Sequence, residues 1–223
     1  MKQLAFVFFS CLFPFACAQT AAFSPEWAAG IHGGVNFSQM RFNSGYYVPQ
    51  GLYMQPSGGL TVRYISENHF GIIGELNYSL CGWTEKKDTL NNAHPNEYTR
   101  SLAYIELPLL AHLYFGLGKR ARLIFNAGPQ FRYNIGEEVQ KKIINDEDTN
   151  LPYYDDGYKI NRKFDYGLKG ALGIEIRTGI GSFILSGSYY FGLADVFNNK
   201  RADVFQASSN QITGIHLAYL PVF

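Results

Sequence analysis

The chain has 223 residues, enough for one domain of ordinary size or for one barrel with its loops. Aromatic residues make up 16% and charged residues 17% of the chain, a balance that favours pleated β-structure over amphipathic helices. The formal net charge is +1 and the basic residues are scattered, so the sequence lacks the basic patch of a nucleic-acid-binding protein and predicts no nucleic-acid partner.

The first 18 residues have the pattern of a secretory signal peptide. An apolar region at 4–15 is too short to span a bilayer, and the small residues around 16–18 fit a cleavage site. The alternative is a lipoprotein acylated at Cys17, but the residues before Cys17 do not fit that signal. The sequence therefore predicts a signal peptide at 1–18 and one exported domain at 19–223.

After cleavage the chain would keep one cysteine, Cys81, so no internal disulfide is predicted. The exported part contains no stretch of about 18 apolar residues without charges. The nearest such stretch, 102–118, is interrupted by Glu106, Pro108 and His112. If this chain resides in a membrane, it must therefore cross it as a β-barrel.

Apolar residues alternate with small or polar residues along eight segments, which is the pattern of strands with one apolar face. Five strong segments cover 27–38, 72–81, 104–115, 123–134 and 163–177, and three weaker ones cover 59–65, 182–192 and 211–223. In the clearest segment, Leu168 and Leu172 fall on one face while Lys169 and Glu175 fall on the other. Several segments reach the roughly 9 to 11 residues that a tilted strand needs to cross a bilayer.

The connections between these segments alternate strictly between short and long. The short turns cover 66–69, 116–120 and 178–181, and the long polar loops cover 39–54, 85–99, 137–162 and 194–210. This alternation is typical of bacterial outer-membrane barrels, which have short periplasmic turns and long external loops. The sequence therefore predicts an all-β fold, an eight-stranded antiparallel transmembrane up-and-down β-barrel, in the outer membrane of a Gram-negative bacterium.

Charged residues are confined to one face of the strong segments, and we expect this face to line the barrel lumen because charges are intolerable against lipid. The predicted lumen charge network comprises Arg63, Glu75, Glu106, Arg132, Asp165, Lys169, Glu175 and Arg177. Paired carboxylates could also serve acid–base chemistry. The interior of eight strands is just wide enough to be filled by side chains, so a structural network of ion pairs is favoured over catalysis.

No catalytic residue, cofactor or metal site is predicted. The five histidines lack the spacing of a metal site, although His32, His112 and His216 share the expected lumen face. The acidic loop at 145–150 has carboxylates at alternate positions, but Leu151 stands where a calcium loop of the EF-hand type requires glycine. A solvated loop is the favoured interpretation, and calcium binding is the alternative.

Two further features concern possible partners. The tyrosine pairs at 46–47 and 153–154 fit either a contact surface for a protein or an aromatic girdle at the lipid headgroups, and both interpretations stay open. The chain stops on Phe223, with Ile215, Leu217 and Tyr219 on the same face. This pattern is similar to the terminal aromatic signal through which the barrel assembly machinery recognises outer-membrane barrels.

Several runs together resemble the PorT-like outer-membrane β-barrel family. They are GGVNFS at 33–38, YIELPLL at 104–110, AGP at 127–129, FDYGL at 164–168 and YYFGL at 189–193. The resemblance covers nearly the whole mature chain and implies an eight-stranded barrel with periplasmic termini. One member of that family takes part in a secretion system that exports proteins across the outer membrane, a role that the fold alone does not transfer.

We therefore expect a non-enzymatic outer-membrane barrel in contact with outer-membrane lipids, with a lumen filled by side chains. Its role would be structural, or that of an interaction component that binds an unknown protein partner through its long external loops, as in an accessory to protein secretion. The first alternative is a narrow pore for small solutes or ions, which needs a water-filled interior. The second is a lipid-modifying enzyme with a nucleophile and base near the membrane edge, for which Ser188 and His216 are the residues to test.

Overall fold

The computed structural model describes residues 24–43, 50–87, 96–142, 162–195 and 207–222. Nine strands form within these ranges: β1 (Glu26–Asn43), β2 (Gln50–Gly51), β3 (Tyr53–Glu67), β4 (Phe70–Lys87), β5 (Asn96–Gly116), β6 (Ala121–Lys142), β7 (Phe164–Thr178), β8 (Gly181–Gly192) and β9 (Ala207–Pro221). The signal peptide, the tyrosine pairs, the acidic loop at 145–150 and Phe223 lie outside the described residues. Export and recognition by the assembly machinery therefore stay predictions.

The strands close into one antiparallel barrel. Each strand from β3 to β9 pairs with the strand that precedes or follows it in the chain, and the ring is closed because β1 pairs with both β3 and β9. The pairing of β4 with β5 completes the wall. The two-residue β2 pairs with the outer end of β4 and continues the line of β3, so the wall has eight strands. The predicted fold class is confirmed.

The alternation of faces places the apolar residues on the outside of the barrel. In β7, the side chains of Leu168 and Leu172 are 56% and 57% exposed. Asp165 and Glu175 of the same strand are buried. The same reversal holds along β5, where Leu107 and Leu109 face outward and Glu106 is buried. A water-soluble barrel would have the opposite arrangement, so the outer surface is suited to lipid.

The short turns lie where the sequence predicts them. The strands are interrupted only at residues 68–69, 117–120 and 179–180 on this side of the barrel. No helix among the described residues has the length and apolarity needed to cross a membrane.

The long loops are shorter than predicted, because the strands extend into them. β1 runs to Asn43, β4 runs to Lys87, β5 already begins at Asn96 and β6 runs to Lys142. The outward-facing residues of these strand ends are mostly polar, so the apolar alternation that marks a lipid-facing strand is lost there although backbone pairing continues. The predicted loop bounds at 39–54, 85–99, 137–162 and 194–210 are therefore wrong at their edges.

The outer ends of three of the extended strands form a sheet that continues past the last β6–β7 pair. The outer end of β4 pairs with β5 up to Lys87 and Asn96, and β5 pairs with β6 up to Lys142. The pairing of β6 with β7 ends at Tyr133. We call the outer ends of β4 (80–87), β5 (96–103) and β6 (135–142) the protruding sheet.

Candidate functional site

The lumen is the candidate site, because it gathers the charged and polar side chains of the barrel. At the end with the short turns it is filled by a cluster of buried apolar residues, which we call the inner plug. The inner plug consists of Ala28, Ile65, Tyr114, Ile124, Ile184 and Leu220. The side chains come from six of the eight wall strands, so the plug crosses the whole width of the barrel.

A group of ion pairs lies at the same height as the inner plug. The Arg63 Nη1 donates to Glu175 Oε1 at 2.9 Å, and both side chains are at most 1% exposed. Arg122 lies 3.8 Å from the other oxygen of Glu175. At the mouth, Glu26 lies 3.9 Å from Arg63 and 3.4 Å from Arg177. Two buried charges of opposite sign thus meet across the lumen, and the rim charges extend the group toward water.

The middle of the lumen is polar and contains an ion pair with two histidines. Lys169 Nζ donates to Glu75 Oε2 at 2.9 Å. The His32 ring is hydrogen-bonded to the Thr61 hydroxyl at 2.7 Å. His216 is hydrogen-bonded to Ser57 at 2.9 Å and, at 3.4 Å, to Ser188, and all three side chains line the lumen.

Free space in the middle of the lumen is small. One cavity of about 40 Å³ lies beside His32, His216 and Lys169. A second cavity of about 20 Å³ lies beside Asn77 and Gln130. A water molecule needs roughly 10 to 15 Å³ of cavity volume, so the two cavities together hold only about five waters.

Arg132 organises the next layer toward the outer end. Its Nε donates to Glu106 Oε1 at 2.8 Å and its Nη1 donates to Asp165 Oδ2 at 3.1 Å. Its Nη2 lies 3.2 Å from the sulfur of Cys81. The guanidinium carbon lies 4.0 Å from the ring centre of Tyr104, which adds a cation–π contact. A fully buried arginine is thus bonded to two carboxylates and covered by an aromatic ring.

A second apolar cluster, the outer plug, lies above Arg132. The outer plug consists of Met40, Cys81, Trp83, Leu102, Tyr104, Tyr190 and Ile212. Trp83 and Leu102 are fully buried, and Trp83 Nε1 donates to Glu85 at 3.1 Å. The lumen is therefore closed at both ends by apolar side chains. Ion pairs lie between the two plugs and at the height of the inner plug.

The predicted charge network is divided into three groups by the structure. Glu106, Arg132 and Asp165 form the outer group. Glu75 and Lys169 form the middle group. Arg63 and Glu175 belong to the inner group, and Arg177 lies at the mouth, where it is 44% exposed.

Sequence analysis missed several members of these groups. Arg122 precedes the predicted segment by one residue, although it falls on the same face as Arg132. Glu26 likewise precedes the first segment by one residue. Extending each alternating pattern by one residue would have found both. The hydrogen bond of 2.7 Å between His112 and Asn126 depends on strand register, which the sequence does not show.

The residues predicted for the enzymatic alternative lie inside the lumen. Ser188 and His216 face the lumen, well inside the wall, whereas a lipid-modifying enzyme needs its nucleophile at the membrane edge. Among the described residues, no group of three or more metal-ligating side chains could hold a metal ion. The chemistry of the lumen is that of paired charges held out of water.

A closed antiparallel barrel with an apolar outer surface and a charged, filled lumen defines the class of outer-membrane barrels. The sequence model of a family described as "outer membrane protein beta-barrel domain" matches residues 17–198, most of the chain. The protein belongs to this family and resides in the outer membrane.

Solved structures of outer-membrane proteins are similar over most of the chain. Ail, the attachment invasion locus protein of Yersinia pestis, is 14% identical, with 87% of this chain and 99% of that chain covered and a TM-score of 0.39. Neisserial surface protein A is 9% identical, with coverage of 88% and 99% and a TM-score of 0.45. OprG from Pseudomonas aeruginosa is 11% identical, with coverage of 87% and 92% and a TM-score of 0.46. A search of curated protein sequences finds no significant match.

Proposed function

We propose that the protein is a non-conducting, non-enzymatic barrel that anchors the protruding sheet and its connecting loops at the cell surface as an interaction surface. The observation that carries the proposal is the closure of the lumen by two plugs, the outer of which shares residues with the base of a sheet that continues past the last β6–β7 pair. A pore would need the lumen to stay open. A surface anchor needs a rigid wall and an exposed extension, which this barrel has.

The closure of the lumen argues against the alternative of a pore. Hydrated ions would have to pass Trp83 and Leu102 at one end and Ile65 and Leu220 at the other, and all four side chains are at most 2% exposed. Between the plugs, Arg132 is held by two carboxylates and cannot swing aside without leaving both unpaired. The lumen therefore contributes stability to the wall.

The protruding sheet offers mixed chemistry to a partner. On β6, Ile135 is 52% and Val139 is 44% exposed, beside the polar Glu138, Gln140 and Lys142. Arg100 Nη2 donates to Glu137 Oε2 at 2.9 Å, which braces β5 against β6. Exposed apolar side chains among charges on a braced sheet are typical of a surface that binds another protein.

The resemblance to the PorT-like family supports a narrower role within this proposal. In that role the protein acts as an accessory to protein secretion, and its partner is a component of the secretion apparatus at the cell surface. The motifs that carry the resemblance lie in the strands, and two of them, at 104–110 and 164–168, supply Glu106 and Asp165 of the Arg132 group. These motifs support the barrel architecture more directly than they support the identity of the partner.

Conductance across planar bilayers tests the closed lumen. The purified full-length protein should insert without producing stepwise currents. Stepwise currents from the wild-type protein would overturn the non-conducting part of the proposal. An electrophoretic shift on boiling provides the control that a closed barrel was inserted.

Site-specific photocrosslinking in intact cells tests the interaction surface. A crosslinker at Val139 should yield a protein adduct of defined mass, whereas a crosslinker at the lipid-facing Leu172 should not. The adduct at Val139 should be lost when the neighbouring Ile135 is changed to Asp. Equal adducts from both positions, or none from Val139, would contradict the proposed surface.

A deletion strain tests the secretion role separately. Loss of the gene should reduce the export of secreted proteins, and the wild-type gene should restore it, while a gene carrying Ile135→Asp should not. Unchanged export in the deletion strain would remove the secretion role and leave the surface-anchor proposal standing.

A further inference from the structure

A cation, Arg41, stands on the outer surface formed by the described parts of β1, β8 and β9. Along β1, β8 and β9 the outward-facing residues are apolar, small or uncharged, and Arg41 is the single charged residue among them. It follows Phe37 and Gln39 on the same face, at the end of β1 that lies away from the short turns. Arg41 therefore marks the level at which the lipid-facing surface of these strands becomes polar.

Arg41 lacks a neutralising partner among the residues that the structure describes, where no carboxylate lies within ion-pair distance of it. Its guanidinium carbon instead lies 5.6 Å from the ring centre of Phe191. A guanidinium stacked on an aromatic ring is held in place and keeps its hydrogen-bond donors available for an anion.

A cleft opens beside this arginine. It has a volume of about 230 Å³ and is lined by Arg41, Phe191, Leu193 and Ser209 together with the buried ends of β8 and β9. Ser209 pairs with Arg41 in the β1–β9 register, so its hydroxyl and the guanidinium flank one opening. Asp195 also lines the cleft, and its Oδ1 accepts hydrogen bonds from Ser208 N at 3.1 Å and Ser208 Oγ at 2.7 Å.

The height of the cleft matches the headgroup region of the outer leaflet. Leu193 N donates to Tyr166 O at 2.9 Å, which puts the cleft level with the outer aromatic residues of β7. The ring centres of Tyr166 and Phe164 lie 6.2 Å apart, and those of Phe164 and Phe131 lie 6.3 Å apart. All three side chains face outward. Such a band of aromatic side chains marks the boundary between hydrocarbon and headgroups.

We propose that this cleft, the Arg41 cleft, binds a phosphate-bearing lipid of the outer leaflet. The guanidinium and the Ser209 hydroxyl hold the phosphate, and Phe191 and Leu193 contact the start of an acyl chain. An arginine fork matches two phosphate oxygens at once, and the surrounding apolar surface faces lipid. A lipid is favoured over a soluble anion because the cleft combines a cation with exposed apolar side chains at the membrane boundary.

Native mass spectrometry of the full-length barrel in a neutral detergent tests the proposal. The probes are diphosphoryl lipid A, the same lipid after phosphate removal, and inorganic phosphate. Diphosphoryl lipid A should bind, and Arg41→Gln should weaken its binding about tenfold or more, the loss expected for a charge-assisted contact. Arg41→Lys should give an intermediate loss, because it keeps the charge and loses the fork.

The controls separate the site from general charge effects and from misfolding. Arg120→Gln removes an exposed arginine in a turn at the opposite end and should bind as the wild type does. Every variant should keep the electrophoretic shift on boiling that marks a closed barrel. The lipid without phosphate should bind wild type and Arg41→Gln equally weakly.

Three outcomes would overturn the inference. One is wild-type affinity in Arg41→Gln. Another is equal affinity for the lipid with and without phosphate, which would indicate apolar adsorption. The third is displacement of the lipid by an equal concentration of inorganic phosphate, which would indicate a simple anion site.

Discussion

Arg132 and Glu106 stand directly opposite each other in the β5–β6 register, and Arg132 Nε donates to Glu106 Oε1 at 2.8 Å. The β6–β7 register places Asp165 opposite the same arginine on its other side. One guanidinium thus ties three successive strands together from inside the lumen. A charge-assisted hydrogen bond of this kind is strong when both partners are shielded from water.

Replacing Arg132 with methionine should destabilise the barrel by about 3 to 5 kcal/mol, because Glu106 and Asp165 would stay buried without a cation. The measurement is the urea midpoint of unfolding in lipid vesicles. Arg177→Gln provides the control, with an expected change of at most about 1 kcal/mol, since that ion pair is exposed at the mouth. Combining Arg132→Met with Glu106→Gln and Asp165→Asn should recover much of the loss. Equal midpoints for Arg132→Met and Arg177→Gln would show that the group carries little stability.

Replacing Leu172 with arginine should impair folding into vesicles by about 2 to 4 kcal/mol, because this outward side chain lies near the middle of β7 and faces hydrocarbon. Leu117→Arg is the matched control: Leu117 is equally exposed but lies in a turn, so the expected change is about 0 to 1 kcal/mol. The folded fraction is read from mobility on unboiled gels. If the two variants fold equally well, the outer face of β7 does not contact lipid.

Two neighbouring glycines of β1 should respond differently to alanine. A Cβ on Gly34 would meet the Ile215 carbonyl oxygen and would lie 2.7 Å from the His216 ring, whereas the nearest atom to a Cβ on Gly33 is 3.8 Å away. We expect Gly34→Ala to destabilise the barrel by about 1 to 3 kcal/mol and Gly33→Ala to change stability by less than about 0.5 kcal/mol. Unfolding midpoints measured side by side decide between them, and a harmless Gly34→Ala would mean that the β9 backbone at Ile215 and the His216 ring both shift to make room.

Cys81 should be inert toward a maleimide in the folded barrel. Its side chain is fully buried in the outer plug and lies 3.2 Å from an Arg132 nitrogen. For the chain without residues 1–18, in which Cys81 is the one cysteine, the mass should stay unchanged after treatment in detergent and should rise by one adduct after treatment in denaturant. Rapid labelling of the folded protein would show that the outer plug opens, and would reopen the question of a conducting lumen.

The number of strands and the side that each presents to lipid could be predicted from the sequence. Both depend on a period of two, which survives wherever one face meets hydrocarbon and the other meets a polar interior. Leu168 and Leu172 of β7, predicted to face outward, do so. The outer ends of β4, β5 and β6 could not be predicted, because their outward faces lie beyond the apolar band and are mostly polar.

Which cation meets which carboxylate also could not be predicted. The sequence predicts the candidate side chains as a set, but the pairs depend on the register between strands that are far apart in sequence. A register shift between Ala103 and Tyr104 moves the outer part of β5 by one residue relative to β6. The Arg63–Glu175 pair joins residues 112 positions apart, across the lumen. No local pattern contains that information.

The β6 part of the protruding sheet lies outside both plugs. The last eight residues of β6, 135–142, at about 3.3 Å each, carry the strand about 26 Å past Asn134, which follows the final pair of β6 with β7 at Tyr133. None of those residues belongs to either plug. Substitutions at the β6 tip therefore leave the packing of both plugs untouched, so the chemistry of the tip can change while the barrel beneath it keeps the same folding requirements.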